Sequence, residues 1–179
     1  IDGMDLFEKK SIANLTEWRS KLSHVPQNIY LSDNSFAENI AFGCLKEEIS
    51  LERVKKAAKI ACIDEFIESL PEKYWQKVGE RGINLSVGQR QLIAFLRVYV
   101  RNSKILILDE ATSSIDSKTE QLLQNALRRI STNRTTIIIA HRLSTILHAD
   151  KIIFLNDGKI VESGTHTELI AQKGMYYEM

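Results

Sequence analysis

Two adjacent acids in the middle of the chain have the residue types and position to do chemistry. Asp109 and Glu110 directly follow the apolar run ILIL at 105–108, which is typical of a parallel strand buried on both faces. Open α/β sheets bind ligands at the carboxyl ends of such strands, and successive strand residues point in opposite directions. One carboxylate can therefore hold a hydrated Mg²⁺ while the other polarises an attacking water. Taken alone, the pair is equally compatible with two solvated acids in a loop.

A predicted helix start lies shortly before this strand. Ser86 and Gln89 have the spacing of a capping box, and Gly88 lets a ligand approach the backbone closely. Apolar residues then recur at helical spacing as far as Val100. The free N–H groups and the positive dipole end of such a helix start favour an anion. Most Ser-x-x-Gln boxes only cap a helix, so the neighbouring motifs decide whether this one binds a ligand.

Further strands and helices must position these residues. The pattern predicts strands at 21–26 and 135–140, which Gln27 and His141 follow, the second as another buried strand. It also predicts an amphipathic helix after Asp116, a strand pair around the turn Asp157-Gly158, and a closing helix at 165–171.

The motifs LSVGQ at 85–89 and ILILDEATSSID at 105–116 resemble the signature motif, Walker B strand and D-loop of the ATP-binding-cassette (ABC) ATPases, in the family's order and spacing. Gln27 and His141 match two further residues that the family places at strand ends. The resemblance covers essentially the whole chain. It implies an α/β fold with a P-loop NTPase-like core, a mainly parallel sheet and an inserted α-helical subdomain. Residues 1–27 and 81–179 are expected to form the core, and residues 28–80 the helical signature subdomain.

The same resemblance implies a catalytic role for three residues and a metal site for two. Glu110 is expected to act as general base, His141 to orient the γ-phosphate of ATP, and Gln27 to reach Mg²⁺ and the attacking water. Asp109 is expected to position Mg²⁺ through water. The implied cofactors are therefore ATP and Mg²⁺.

The resemblance further implies that two nucleotide-binding domains pair head to tail. Ser86, Gly88 and Gln89 of one protomer then meet the γ-phosphate of ATP gripped by the other. Ser113 and Asp116, in the D-loop, cross the interface and link the two sites. Val87 stands where the commonest signature has Gly, but it still offers its N–H.

The sequence VGERG at 78–82 resembles a loop that, in exporter-type members, contacts the cytoplasmic loops of the transmembrane domain. Glu80 and Arg81 are accordingly assigned to coupling, although without the adjoining motif they would read as a solvated turn. The chain is thus interpreted as the C-terminal portion of the nucleotide-binding domain of an ABC exporter. It is expected at the cytoplasmic face of a membrane, coupling ATP binding and hydrolysis to substrate transport with a transmembrane domain and a second nucleotide-binding domain as partners.

The sequence lacks one part of the family pattern. No GxxxxGK[ST] loop, which grips the β- and γ-phosphates, occurs in the 179 residues. We expect truncation rather than evolutionary loss, since Gln27, Glu110 and His141 are retained together. In the family's sheet the strand before that loop lies between the strands at 135–140 and 151–156. Its loss is expected to open two apolar edges and to leave the isolated chain poorly soluble, self-associated, or loosened around residues 137–141.

The composition limits the partners and functions that the chain can have. Basic and acidic residues number 24 and 23, for a net charge of +1, so no nucleic-acid partner is expected. Cys44 and Cys62 have no metal-type spacing and are expected to be reduced. One alternative is a soluble ABC-superfamily ATPase acting on nucleic acid or ribosomes, which the VGERG loop disfavours. Another is a catalytically silent dimerisation fragment, which best describes the isolated chain.

Overall fold

The computed structural model describes residues 12–109, 117–140 and 142–178. The chain forms two compact units, Ile1–Ile139 and Ala140–Met179. Within the described residues, every helix is too short or too polar to cross a bilayer. Cys44 and Cys62 are exposed and form no disulfide.

The first unit follows the predicted order of helices and strands. Its elements are α1 (Ile12–Ser20), β1 (Leu22–Val25), α2 (Phe36–Ile40), α3 (Leu51–Ile60), α4 (Asp64–Glu68), α5 (Val87–Arg101), β2 (Ile105–Asp109), α6 (Ser117–Ser131) and β3 (Thr135–Ile139). Short 3-10 turns at Lys46–Glu48, Lys73–Trp75 and Glu80–Gly82 were not predicted. They lie between apolar segments, where the hydrophobic pattern carries no helical period to reveal them.

Three strands of this unit form a parallel sheet in the order β1-β2-β3. The register pairs Val25 with Leu108 and Asp109 with Ile139, so all three carboxyl ends lie at one edge. Leu106 and Leu108 of the central strand are buried, which confirms the strand predicted from the apolar run. The parallel α/β architecture predicted from the sequence is therefore confirmed.

The prediction of a buried strand at 135–140 is wrong. In β3 the side chains of Ile137 and Ile139 are 51% and 52% exposed. The physical reason is that both side chains point to one face of β3, which the described residues leave largely uncovered. The edge of β3 away from β2 has no strand partner among the described residues either. This agrees with the expectation that the strand presents an open apolar edge.

The helix α5 joins two hydrophobic clusters. Its residues Leu92, Ile93 and Leu96 pack with α2, α3 and α4, whereas Ala94 and Val98 pack against the sheet. Residues 28–80 contain α2, α3 and α4 and no named strand. These helices share a hydrophobic core with α5, which lies outside the predicted helical subdomain. The core therefore does not separate the two predicted domains, and the boundaries at 27/28 and 80/81 stay predictions.

The second unit is a small α/β unit. Its elements are α7 (Leu143–Ile146), β4 (Ile152–Asn156), β5 (Lys159–Gly164), α8 (His166–Gln172) and α9 (Met175–Glu178). β4 and β5 form an antiparallel pair, and the predicted turn between them is confirmed by positive φ angles of 49° at Asp157 and 73° at Gly158. Ile152, Leu169 and Tyr176 form the core of this unit.

Candidate functional site at the carboxyl edge of the parallel sheet

Two of the predicted site residues lie at neighbouring strand ends. Asp109 is the last residue of β2 and is half-buried, while Gln27 comes two residues after the end of β1 and is exposed. Since β1 and β2 are adjacent and parallel, their carboxyl ends meet at the same edge of the sheet. A carboxylate and an amide oxygen are hard ligands of the kind that Mg²⁺ takes. This donor set fits a hydrated Mg²⁺ bound to a nucleotide.

The other predicted residues of this edge lie outside the described residues. They are Glu110, Ser113, Asp116 and His141. In the sequence, Glu110 comes directly after Asp109 and His141 comes two residues after Ile139, and Asp109 and Ile139 are register partners across β2 and β3.

The capping box predicted at the start of α5 is confirmed. The Ser86 Oγ accepts a hydrogen bond from the Gln89 N–H at 3.1 Å, and the Gln89 Oε1 accepts one from the Ser86 N–H at 2.9 Å. The Ser86 backbone is extended, with φ −63° and ψ 161°, as an N-cap requires. Because the Ser86 Oγ uses a lone pair in this bond, its own O–H remains a donor.

The start of α5 presents donors to an anion from an exposed position. Ser86 is exposed, Gly88 is buried and Gln89 is half-buried. The N–H groups of Val87 and Gly88 belong to the first helical turn, where no carbonyl of the helix can accept them. Val87 is itself 41% exposed, so an apolar side chain accompanies these donors at the surface. This arrangement suits an anion held beside an apolar protein surface.

The loop that carries the predicted coupling residues is fixed through its backbone. Glu80 and Arg81 are exposed, and Arg81 adopts left-handed angles of φ 51° and ψ 24°. The Arg81 N–H donates to the Asp33 carboxylate at 3.0 Å. The Val78 N–H donates to the Asn34 carbonyl at 3.2 Å. The loop is thereby fastened to the segment that follows Gln27 and β1.

A second set of contacts ties the same loop to α5. The Arg90 Nη1 donates to the Leu85 carbonyl at 2.7 Å and to the Gly82 carbonyl at 3.4 Å. Gly82 has a φ of +71°, and a Cβ added to it would lie 2.8 Å from the Leu31 Cδ1. Gly82 is therefore needed both for its backbone conformation and for its close approach to Leu31.

Sequence reasoning missed a polar network between α5 and α2. The Arg97 guanidinium donates three hydrogen bonds of 2.8 to 3.0 Å, to the Asn39 carbonyl, the Asn39 Oδ1 and the Tyr30 carbonyl. Burial lowers the pKa of Arg97. Arg97 lies four residues after the fully buried Ile93, but Arg90 and Arg101 lie on the same side of the helix, so the sequence does not distinguish Arg97 from a surface arginine.

A parallel α/β sheet with Asp109 and Gln27 at its carboxyl edge, together with a capped helix start that can hold an anion, is typical of nucleotide-binding α/β proteins. Residues 1–113 match the family described as ABC transporter. The chain belongs to this family, as its motifs predicted.

The chain is similar to proteins that are named as exporters or transporters. It is 52% identical over 161 residues to ABC transporter B family member 28 of Arabidopsis thaliana, covering 90% of this chain and 22% of that protein. It is 48% identical over 179 residues to an ATP-dependent lipid A-core flippase of Legionella pneumophila (strain Paris), covering 100% of this chain and 29% of that protein. A solved structure of a bacterial Atm1-family ABC exporter with ATP bound matches with a TM-score of 0.81 and 43% identity, covering 91% of this chain and 28% of that chain.

These similarities confirm the P-loop NTPase-like α/β fold and a close relation to the ATP-binding domains of ABC exporters. The chain spans less than a third of the length of each of these relatives.

Proposed function

We propose that this chain is the part of an ABC exporter that hydrolyses ATP and couples hydrolysis to the movement of a substrate across a membrane. The observation that carries the proposal is the shared carboxyl edge of β1 and β2, where Asp109 and Gln27 lie at adjacent strand ends. The membership of the chain in the ABC transporter family supports it.

In this proposal each residue at the carboxyl edge of the parallel sheet has a separate role in ATP hydrolysis. Asp109 positions Mg²⁺ through water, and the Gln27 amide reaches the metal and the attacking water. Glu110 takes the proton of that water as general base, and His141 orients the γ-phosphate through a ring nitrogen. When bound, Mg²⁺ neutralises charge that develops on the phosphate oxygens.

A second copy of the domain, or a related domain, completes each site. Ser86, Gly88 and Gln89 of one protomer contact the γ-phosphate held by the other, and Ser113 and Asp116 cross the interface. The exposed Ser86 hydroxyl, the first-turn N–H groups of α5 and the exposed side chain of Val87 support a surface of this kind. The dipole of α5 then opposes the phosphate charge.

The partner on the membrane side is a transmembrane domain, which places the chain at the cytoplasmic face. Glu80 and Arg81 contact that domain in this proposal. Both side chains are exposed on a loop whose backbone is fixed by hydrogen bonds, so the loop can transmit force without first having to fold.

The isolated 179 residues are proposed to be catalytically silent. The sequence contains no GxxxxGK[ST] loop to grip the phosphates. Calorimetry with Mg²⁺ and ATP is expected to detect binding by the complete protein and none by the isolated chain. Tight binding by the isolated chain would mean that other residues grip the phosphates.

The test of the proposed function is ATP hydrolysis by the complete protein with Glu110→Gln. We expect turnover to fall by about 10²-fold or more, as for loss of a positioned general base, with ATP binding preserved. Glu52→Gln, at an exposed position of α3, is the matched control and should leave turnover unchanged. Substantial turnover in the Glu110 variant would refute its role as base, and an inactive wild-type protein would refute the proposed function.

A further inference from the structure

We propose that Arg97 is a positioning residue that fixes the segment after Gln27 to the helix α5, and thereby links the two ends of the catalytic machinery. This inference rests on the proposed function, because Gln27 and Ser86 act there on bound ATP. It assigns a role to a residue that touches no nucleotide in that scheme.

The Arg97 guanidinium joins two segments that are far apart in the sequence. Its Nη1 donates to the Tyr30 carbonyl at 2.8 Å, and its Nε donates to the Asn39 carbonyl at 2.8 Å. Its Nη2 donates to the Asn39 Oδ1 at 3.0 Å, and its central carbon lies 4.7 Å from the centroid of the Phe42 ring. A planar fork with several fixed donors is required to reach these acceptors together.

Asn39 extends the network into the loop before α2. Its side chain is fully buried. The Asn39 Nδ2 donates to the carbonyls of Ser32, Asn34 and Ser35 at 3.0, 3.2 and 3.0 Å, and its Oδ1 accepts from the Ser32 N–H at 3.0 Å. Arg97 therefore holds a loop that is already closed around Asn39, and that loop begins a few residues after Gln27.

Burial makes these contacts hard to replace. Arg97 is half-buried, and the part of its guanidinium that is withdrawn from water needs acceptors to offset the lost hydration. If Arg97 is removed, the Tyr30 and Asn39 carbonyls and the Asn39 side chain each lose a charged donor. The segment between Gln27 and Asn39 would then lose its hydrogen bonds to Arg97 and be held to α5 by apolar contacts.

The other end of α5 explains why this attachment matters for function. Arg97 lies 11 residues after Ser86 on the same helix, which is about 16 Å along its axis. A helix of this length moves as one body, so a displacement of the segment after Gln27 is passed to the capped start of α5. In the proposed function, Gln27 contacts ATP in one site and Ser86 contacts ATP in the other. Arg97 would therefore keep the position of Gln27 fixed relative to that of Ser86.

Arg134, which lies between α6 and β3, provides a matched control because it hydrogen-bonds the same helix. Its Nη1 donates to the Val98 carbonyl of α5 at 3.3 Å. Its Nη2 donates at 3.2 Å to the Oδ1 of Asn102, the C-cap residue of α5. Burial lowers its pKa as well. Its described hydrogen bonds, however, reach only the C-terminal end of α5 and not the segment after Gln27.

The first test compares Arg97→Met, Arg97→Lys and Arg134→Met in the complete protein. Arg97→Met should lower kcat for ATP by about tenfold or more, because positioning errors of about 1 Å have effects of this size. The KM for ATP should stay within about twofold, since Arg97 does not contact the nucleotide. Arg97→Lys keeps the charge but not the fork, and should fold while recovering only part of kcat. Arg134→Met should leave kcat within about twofold.

The second test is a double-mutant cycle between Arg97→Met and Gln27→Ala. If Arg97 acts through the segment after Gln27, the two effects on kcat should be clearly less than multiplicative. Fully multiplicative effects would overturn the inference, as would an Arg97→Met protein with wild-type kcat. An equal loss of kcat in Arg97→Met and Arg134→Met would also overturn it, because both would then act only through stability. An inactive wild-type protein would instead refute the proposed function.

Discussion

Replacing Ser86 by Ala should separate the structural role of the capping box from its role toward a nucleotide. The Ser86 Oγ accepts from the Gln89 N–H at 3.1 Å, and loss of such a cap costs about 1 kcal/mol. The Ser86 O–H is the only part of this group left to donate to a phosphate. A hydrogen bond to a charged group contributes about 1.5–3 kcal/mol, which corresponds to about 10- to 150-fold in rate or affinity.

The two contributions are measured by different assays on the complete protein. Without nucleotide, loss of the cap should speed amide hydrogen exchange in the first turn of α5 by about fivefold. At saturating ATP, kcat should fall by at least about tenfold. Ser86→Thr retains a hydroxyl and should recover most of both properties.

Thr165 is a matched control because it forms the same reciprocal box with Glu168 at the start of α8. Thr165→Ala should speed exchange in the first turn of α8 to a similar extent and leave kcat unchanged. The reasoning would be refuted if both Ala variants lost the same fraction of kcat, or if Ser86→Ala lost its cap without any change in turnover.

Two further changes test the stability of the described residues. The Ser35 hydroxyl and N–H donate hydrogen bonds to the Glu38 carboxylate and lower its pKa below the ordinary 4.5. These bonds therefore stabilise the folded chain fully above pH 4.5, and the stabilisation is lost as pH falls through the lowered pKa of the folded state. Thermal unfolding at a series of pH values should therefore show less acid destabilisation in Glu38→Gln, and an unchanged pH dependence would contradict this cause. On β3, Ile137→Lys should reduce self-association of the isolated chain in sedimentation experiments, because it places a charge on the open edge strand. A wild-type chain that is monomeric at all concentrations would show that this strand does not drive self-association.

The order of elements could be predicted because the sequence patterns are local. The apolar run before Asp109, the Ser86 box and the turn at Asp157 and Gly158 each depend on neighbouring residues, and each is confirmed. The exposure of β3 could not be predicted from its composition. A run of Thr and Ile is typical of a buried strand, but burial depends on what packs on the faces of the strand in space.

The positions of some candidate site residues in the fold could be predicted, whereas their roles stay predictions. The positions of Gln27 and Asp109 follow from parallel strand ends, and the motifs supplied the family. The contact between Arg97 and Asn39 could not be predicted, because the two residues are 58 positions apart and neither belongs to a recognisable motif. Long-range hydrogen bonds to backbone carbonyls leave almost no trace in sequence, since any residue supplies a carbonyl.

In the loop that presents Glu80 and Arg81, the attachment of the backbone does not depend on which exposed side chains the loop carries. Its attachments at Val78 and Arg81 are made by backbone N–H groups, which remain whichever exposed side chain the loop carries. The exposed side chains of the loop can therefore change through evolution without disturbing the fold that displays them.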